Sequence, residues 1–113
     1  MRIDESETYL DDETSLVFRD DEPFTGQVET KDENGDLLEL MSFREGVTDG
    51  TQQVWYPGGQ KMTEGTSRMG EAVGDWYEWH PNGVLAVHNA YDEEGRLLHV
   101  KRWDTEGDLV EDR

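Results

Sequence analysis

Residues 50–61 read Gly-Thr-Gln-Gln-Val-Trp-Tyr-Pro-Gly-Gly-Gln-Lys, and residues 74–85 read Gly-Asp-Trp-Tyr-Glu-Trp-His-Pro-Asn-Gly-Val-Leu. Laid over each other at an offset of 24 residues, the two stretches share their leading glycine, a tryptophan, a proline and a second glycine. The same offset extends outward in both directions. Gly35, Gly59, Gly83 and Gly107 form one column; Gly26, Gly50 and Gly74 form a second. Gly46 and Gly70 begin a third, which Gly95 joins one residue late. Trp55, Trp79 and Trp103 make a ladder with the same spacing. A fixed period of this length is the mark of stacked supersecondary units, so the chain reads as a small repeat protein.

The local chemistry of each unit points to a β-hairpin. Asn34-Gly35 and Asn82-Gly83 are strong signals for a two-residue hairpin turn, whose central positions both need positive φ. Gly58-Gly59 and Glu106-Gly107 stand at the same place in their units. Strands are predicted over 26–33, 36–43, 50–57, 60–67, 74–80, 84–91, 97–104 and 108–110, with solvent-exposed loops from Arg44 to Asp49 and from Arg68 to Val73. No stretch carries an apolar period of 3.6 residues, so helix is not expected. The predicted fold is all-β: an antiparallel meander of stacked β-hairpins, about four 24-residue repeats in a single elongated sheet. Residues 16–110 form the repeat domain, with Leu16, Val17 and Phe18 as a short strand at its start. Residues 1–15 are read as an acidic, partly flexible segment, frayed over 1–8, and residues 111–113 as a loose tail.

Alternation assigns the faces. Asp75, Tyr77 and Trp79 point one way, and Trp76, Glu78 and His80 the other. A two-residue turn at Asn82-Gly83 pairs Trp79 with Ala86, which places Trp55 with Met62 and Trp103 with Val110 on one face. The ladder then reads as buried packing, with a partly exposed binding face as the alternative. Tyr56, Trp76 and His80 fall on the opposite face with Leu37, Leu85, Val87, Phe43 and Tyr91, and vary more between units.

Composition narrows the partners. The chain of 113 residues holds 28 Asp and Glu against 10 Lys and Arg, for a formal charge of −18. Such a surface repels nucleic acid and anionic membranes and speeds the capture of basic partners. Solubility, or life in a salty cytoplasm, explains the same composition. There is no cysteine for a disulfide or a thiolate metal site. No apolar run approaches a membrane span, and the acidic stretch Met1 to Glu7 is unlike a secretory signal, so a cytoplasmic protein is expected.

The repeated units, Gly-x-x-x-x-Trp-(Tyr/His)-Pro-x-Gly-x-(Leu/Lys), follow the run Pro23-Phe24-Thr25-Gly26. Over roughly residues 16–110 the chain resembles the second variant of the MORN repeat, as found in the YwqK-type antitoxin family. The first unit departs from that pattern, with Lys31 and Asp32 in place of the aromatic pair, and the fourth lacks the leading glycine. Both read as worn terminal units. The resemblance implies an antiparallel hairpin array and, for many members, service as antitoxins or immunity proteins.

Catalytic and metal motifs are sought without success. Asp32 to Asp36 has the acids of a calcium loop, but its glycine comes at the fourth place, and Phe43 stands where the bidentate Glu belongs. His80, His88 and His99 lack metal-ligand spacing, and no nucleophile elbow or phosphate loop is present. The expectation is a non-enzyme without cofactor or metal. Its partner is a cognate toxin protein, a basic one such as a nuclease. Trp76, Tyr56 and His80 are the expected anchors, with Glu45, Asp49, Glu71 and Asp75 as the charged rim. A scaffold that pairs through its sheet edge is the alternative. The sequence leaves the oligomeric state open.

Overall fold

Glycines at positive φ punctuate the chain, and what lies between them is strand. A computed structural model describes all 113 residues. The elements are β1 (Arg2–Asp4), a 3-10 turn at Glu5–Glu7, β2 (Tyr9–Leu10), β3 (Val17–Arg19) and β4 (Glu22–Pro23). Four hairpins follow: β5 (Gly26–Lys31) with β6 (Leu37–Arg44), and β7 (Val47–Trp55) with β8 (Lys61–Arg68). Then come β9 (Glu71–Trp79) with β10 (Leu85–Tyr91), and β11 (Leu97–Trp103) with β12 (Leu109–Asp112). The eight repeat strands pair in chain order, and β1 adds parallel to β5, giving a nine-stranded sheet. The strands β2, β3 and β4 form a small second sheet, which the sequence reading did not separate from the array.

Two kinds of turn close the strands, and they fall opposite to expectation. The Asn-Gly turns are longer than two residues. In the segments 32–36, 56–60, 80–84 and 104–108, the first N–H donates to the fifth carbonyl at 2.9, 2.7, 2.8 and 2.9 Å. The fourth residue, a glycine at positive φ, donates back to the first carbonyl. This is a three-residue loop with a glycine bulge, and only the glycine needs the left-handed region. Within the nine-stranded sheet the tight two-residue turns with both φ positive are Glu45-Gly46 (51° and 82°) and Met69-Gly70 (51° and 85°). The expected loops at 44–49 and 68–73 therefore shrink to these turns. At the corresponding place in the third unit the turn runs over Asp92–Arg96, one residue longer, and that insertion is why Gly95 comes late.

The longer turns shift the register. Trp79 lies opposite Leu85, Trp55 opposite Lys61 and Trp103 opposite Leu109, each one residue from the expected Ala86, Met62 and Val110. Leu85 therefore belongs opposite Trp79 rather than on the other face.

The core also lies elsewhere. The buried apolar residues are Ile3, Phe24, Val28, Val87 and Val100, and the three ladder tryptophans are only half-buried. A single-layer sheet offers a Trp ring its neighbours in the layer and nothing above it. Lys61 sits 5.7 Å from the Trp55 ring centre, and Tyr77 lies 5.9 Å from Trp79. Ile3, Phe24 and Val28 form the one apolar cluster, with Val17 of β3 and Phe43 of β6 packed on it. The first residues are thus tied down rather than frayed: Ile3 pairs with Val28, and Arg2 Nε donates to Glu29 at 2.8 Å. At the other end residues 111–113 are paired too. Arg113 and Val100 exchange both backbone hydrogen bonds at 2.8 Å.

Candidate binding surface

Residues 24 apart do the same work in successive units, and most of that work is stitching. At the long-turn end, the Tyr56 hydroxyl donates to the Trp79 carbonyl at 2.8 Å. One unit later His80 Nε2 bonds the Trp103 carbonyl at 2.9 Å, and the carbonyl makes the imidazole the donor. Asn82 Nδ2 adds a bond to the Thr105 carbonyl at 2.9 Å. The terminal units carry Asp in that column. Asp32 Oδ1 accepts from the N–H groups of Asn34 and Asp36, and Asp104 Oδ1 from those of Glu106 and Asp108, so these side chains fold back on their own turns. Asp92 does likewise in the inserted turn; the Arg96 N–H, foremost, holds its carboxyl below the usual aspartate range.

At the tight-turn end a second device repeats. The Gly46 N–H donates to the Phe24 carbonyl and the Gly70 N–H to the Thr48 carbonyl, both at 2.8 Å. Thr25 Oγ1 accepts from the Glu45 N–H at 2.9 Å, and Asp49 Oδ2 from the Met69 N–H at 3.0 Å. Each turn is bound to the hairpin before it. Val73 follows in this column, and its side chain has no acceptor; the turn it faces is the longer one at Asp92.

A third column repairs the sheet. The β6–β7 and β8–β9 ladders each slip near the leading glycine of the unit. Gln52 bridges the first slip, accepting from the Ser42 N–H at 3.1 Å and donating to the Ser42 carbonyl at 3.0 Å. Trp76 does this at the second, its Nε1 donating to the Thr66 carbonyl at 2.9 Å while its ring covers Gly65. Any Cβ at Gly65 would lie 2.0 Å from that indole, so glycine is required there for the close approach. Val100 takes the column over in the fourth unit, where it pairs with Asn89 and the ladder shifts by only one residue, between Ala90 and Tyr91.

The sequence-predicted residues therefore occupy several places rather than one. Tyr56 and His80 stand at the long-turn end, with their polar atoms engaged in the struts. Glu45 and Asp49 line a groove of about 480 Å³ at the tight-turn end, with Arg44, Val47 and Met69. Glu71 borders the next groove, about 330 Å³, beside Arg68, Glu93 and Glu94. Trp76 lies at mid-strand. Asp75 is on the face opposite to it, bonded to His88 Nε2 at 2.8 Å; the His88 ring stacks on Tyr77 at 4.7 Å. Sequence reasoning missed Thr25, Asp49 as a turn acceptor, and Gln52. Aligning every polar residue at the 24-residue offset, rather than glycine and aromatics alone, would have exposed the first two.

No helix is long and apolar enough to cross a membrane. No curated protein matches the chain. Residues 72–93, which hold most of β9, the His80 turn and all of β10, match the family model of the MORN repeat variant, so this hairpin is similar to a unit of a repeat-based binding or scaffold module.

Proposed function

We propose that the chain is a non-catalytic protein-binding module that captures a basic protein, and that it serves in the cytoplasm as an antitoxin or immunity protein. The observation that carries this is uncompensated charge. Of the 10 Lys and Arg, seven lie within 3.4 Å of a carboxylate, and most of the remaining acids of the 28 face solvent on a sheet one layer thick. Glu45 and Glu71 are among them, exposed at the tight-turn end beside Asp49. Such a surface steers a basic partner at low salt. Trp76, half-buried, supplies an apolar contact within it. The antitoxin reading draws on the resemblance of the units; the basic partner draws on the charge.

Capture from native lysate at about 0.15 M and about 1 M salt, bracketing Debye lengths of roughly 8 and 3 Å, tests it. The expected result is one basic protein that arrests growth when expressed alone and is relieved by co-expression. Glu71→Gln with Asp75→Asn then slows association and flattens its salt dependence. Recovery of the chain alone, as a salt-insensitive oligomer, would instead support a self-pairing scaffold.

A further inference from the structure

The strands β6, β8 and β10 each close a hairpin, and each is paired on its outer side with the first strand of the next. In the fourth hairpin β12 holds the same position, and its outer side carries no strand. Because Arg113 and Val100 exchange both backbone bonds, alternation turns the N–H and C=O of Asp112 away from β11. Beside them Leu109 and Val110 are exposed at 51% and 64%. The edge thus offers unpaired backbone groups, an apolar pair and an acidic pair, Glu111 and Asp112, in one short run.

Resting on the reading of a basic partner, we infer that this edge receives an extended segment of that partner as a tenth, antiparallel strand. Its basic residues lie opposite Glu111 and Asp112, and its apolar residues lie over Val110 and Leu109. Continuity with the three internal interfaces sets the direction of the added strand. Charge selects its chemistry: Asp104, Glu106, Asp108, Glu111 and Asp112 outnumber Lys101, Arg102 and Arg113 on the same hairpin. Both arginines lie on Glu111, and Lys101 and His99, the latter at 3.3 Å, are the neighbours of Asp112. A second copy fits less well, since antiparallel self-pairing centred on Asp112 sets two carboxylates directly opposite each other, between chains of charge −18.

The test uses the full chain, isotope-labelled, and two capped heptapeptides. One reads Thr-Glu-Lys-Arg-Val-Leu-Thr; the other has Glu-Glu in place of Lys-Arg. The expected result is binding of the basic peptide alone, with the shift changes and exchange protection centred on the Asp112 amide. Asp112→Pro removes the outward donor and leaves the bonds to β11 in place; it weakens the basic peptide about tenfold. Asp112→Asn keeps the donor and weakens binding only about threefold. Circular dichroism confirms that both variants fold. Failure of the basic peptide to bind, or undiminished binding to Asp112→Pro, overturns the edge proposal. If the shifts then cluster on Glu45 and Glu71, the basic-partner reading survives without the edge; equal binding of both peptides removes that reading too. Protection of Asp112 that rises with protein concentration in the absence of peptide would overturn the proposal in favour of a second copy.

Discussion

The two ends of the sheet finish differently. At the β5 end a non-repeat segment takes the outer side: β1 pairs there, Ile3 buries against Phe24 and Val28, and Val17 packs on the same cluster. At the β12 end no strand lies on the outer side, and Leu109 and Val110 are exposed. Every hairpin in a stacked array needs a neighbour to cover its apolar residues and pair its edge. One end meets that need with added chain. The other has no such cover, and its turn is closed by Asp104 just as the first hairpin's is by Asp32. The difference teaches that hydrogen-bonded struts join hairpin to hairpin along the array, whereas the one buried apolar cluster is built where the added chain covers the β5 end.

The strongest way to break this comparison is a pair of truncations. Phe24→Ala, in the cluster, should cost about 3–5 kcal/mol, whereas Leu109→Ala, at the open end, should stay within about 0.5 kcal/mol. Urea unfolding of the two variants checks this, and equal losses would erase the distinction. Next comes a pair of glycines with nearly the same backbone, Gly46 at φ 82° and Gly107 at 89°. A Cβ at Gly46 would lie 2.8 Å from Leu16 Cβ, but at Gly107 nothing comes closer than 4.0 Å. Gly107→Ala should therefore cost only left-handed strain, about 1 kcal/mol, and Gly46→Ala about 2–4 kcal/mol. Thermal melts rank them.

Removing one strut is a smaller change. Tyr56→Phe takes away the donor to the Trp79 carbonyl and should cost about 0.5–1.5 kcal/mol, read by urea unfolding, with faster amide exchange along β9 and β10. The smallest expected effect is acid loosening of the β5 end. Arg2 first, then Lys31, holds the Glu29 carboxyl below the usual glutamate range. A depressed folded value contributes stability above the unfolded value, and that contribution is lost as pH falls through the folded one. Exchange at the β1 amides should rise in that window, below the ordinary glutamate value of 4.5.

All eight repeat strands were legible, because glycine and tryptophan columns report backbone geometry directly. The turns were not. Asn-Gly favours a two-residue turn in isolation, but flanking carboxylates and carbonyls stabilise the longer loop, and that contest is tertiary. The tight turns use Glu45 and Met69 at positive φ, which no propensity would select; bonds from the preceding hairpin hold them there. The anchors Tyr56, Trp76 and His80 were visible as a varying set. What the sequence hid was their hydrogen-bond partners, each 10 or 23 residues away in the chain. The N-terminal strand was invisible for a similar reason: Ile3 has a partner only once Gly26 lets β1 approach β5.

Native-state hydrogen exchange on the free protein at two concentrations tests the capped-and-open account most directly. It predicts that amides of β5 exchange nearly as slowly as those of the central strands. The Asp112 amide should exchange as an unprotected one, at a rate independent of concentration. Slow exchange at Asp112, or β5 amides as fast as Asp112, would contradict it.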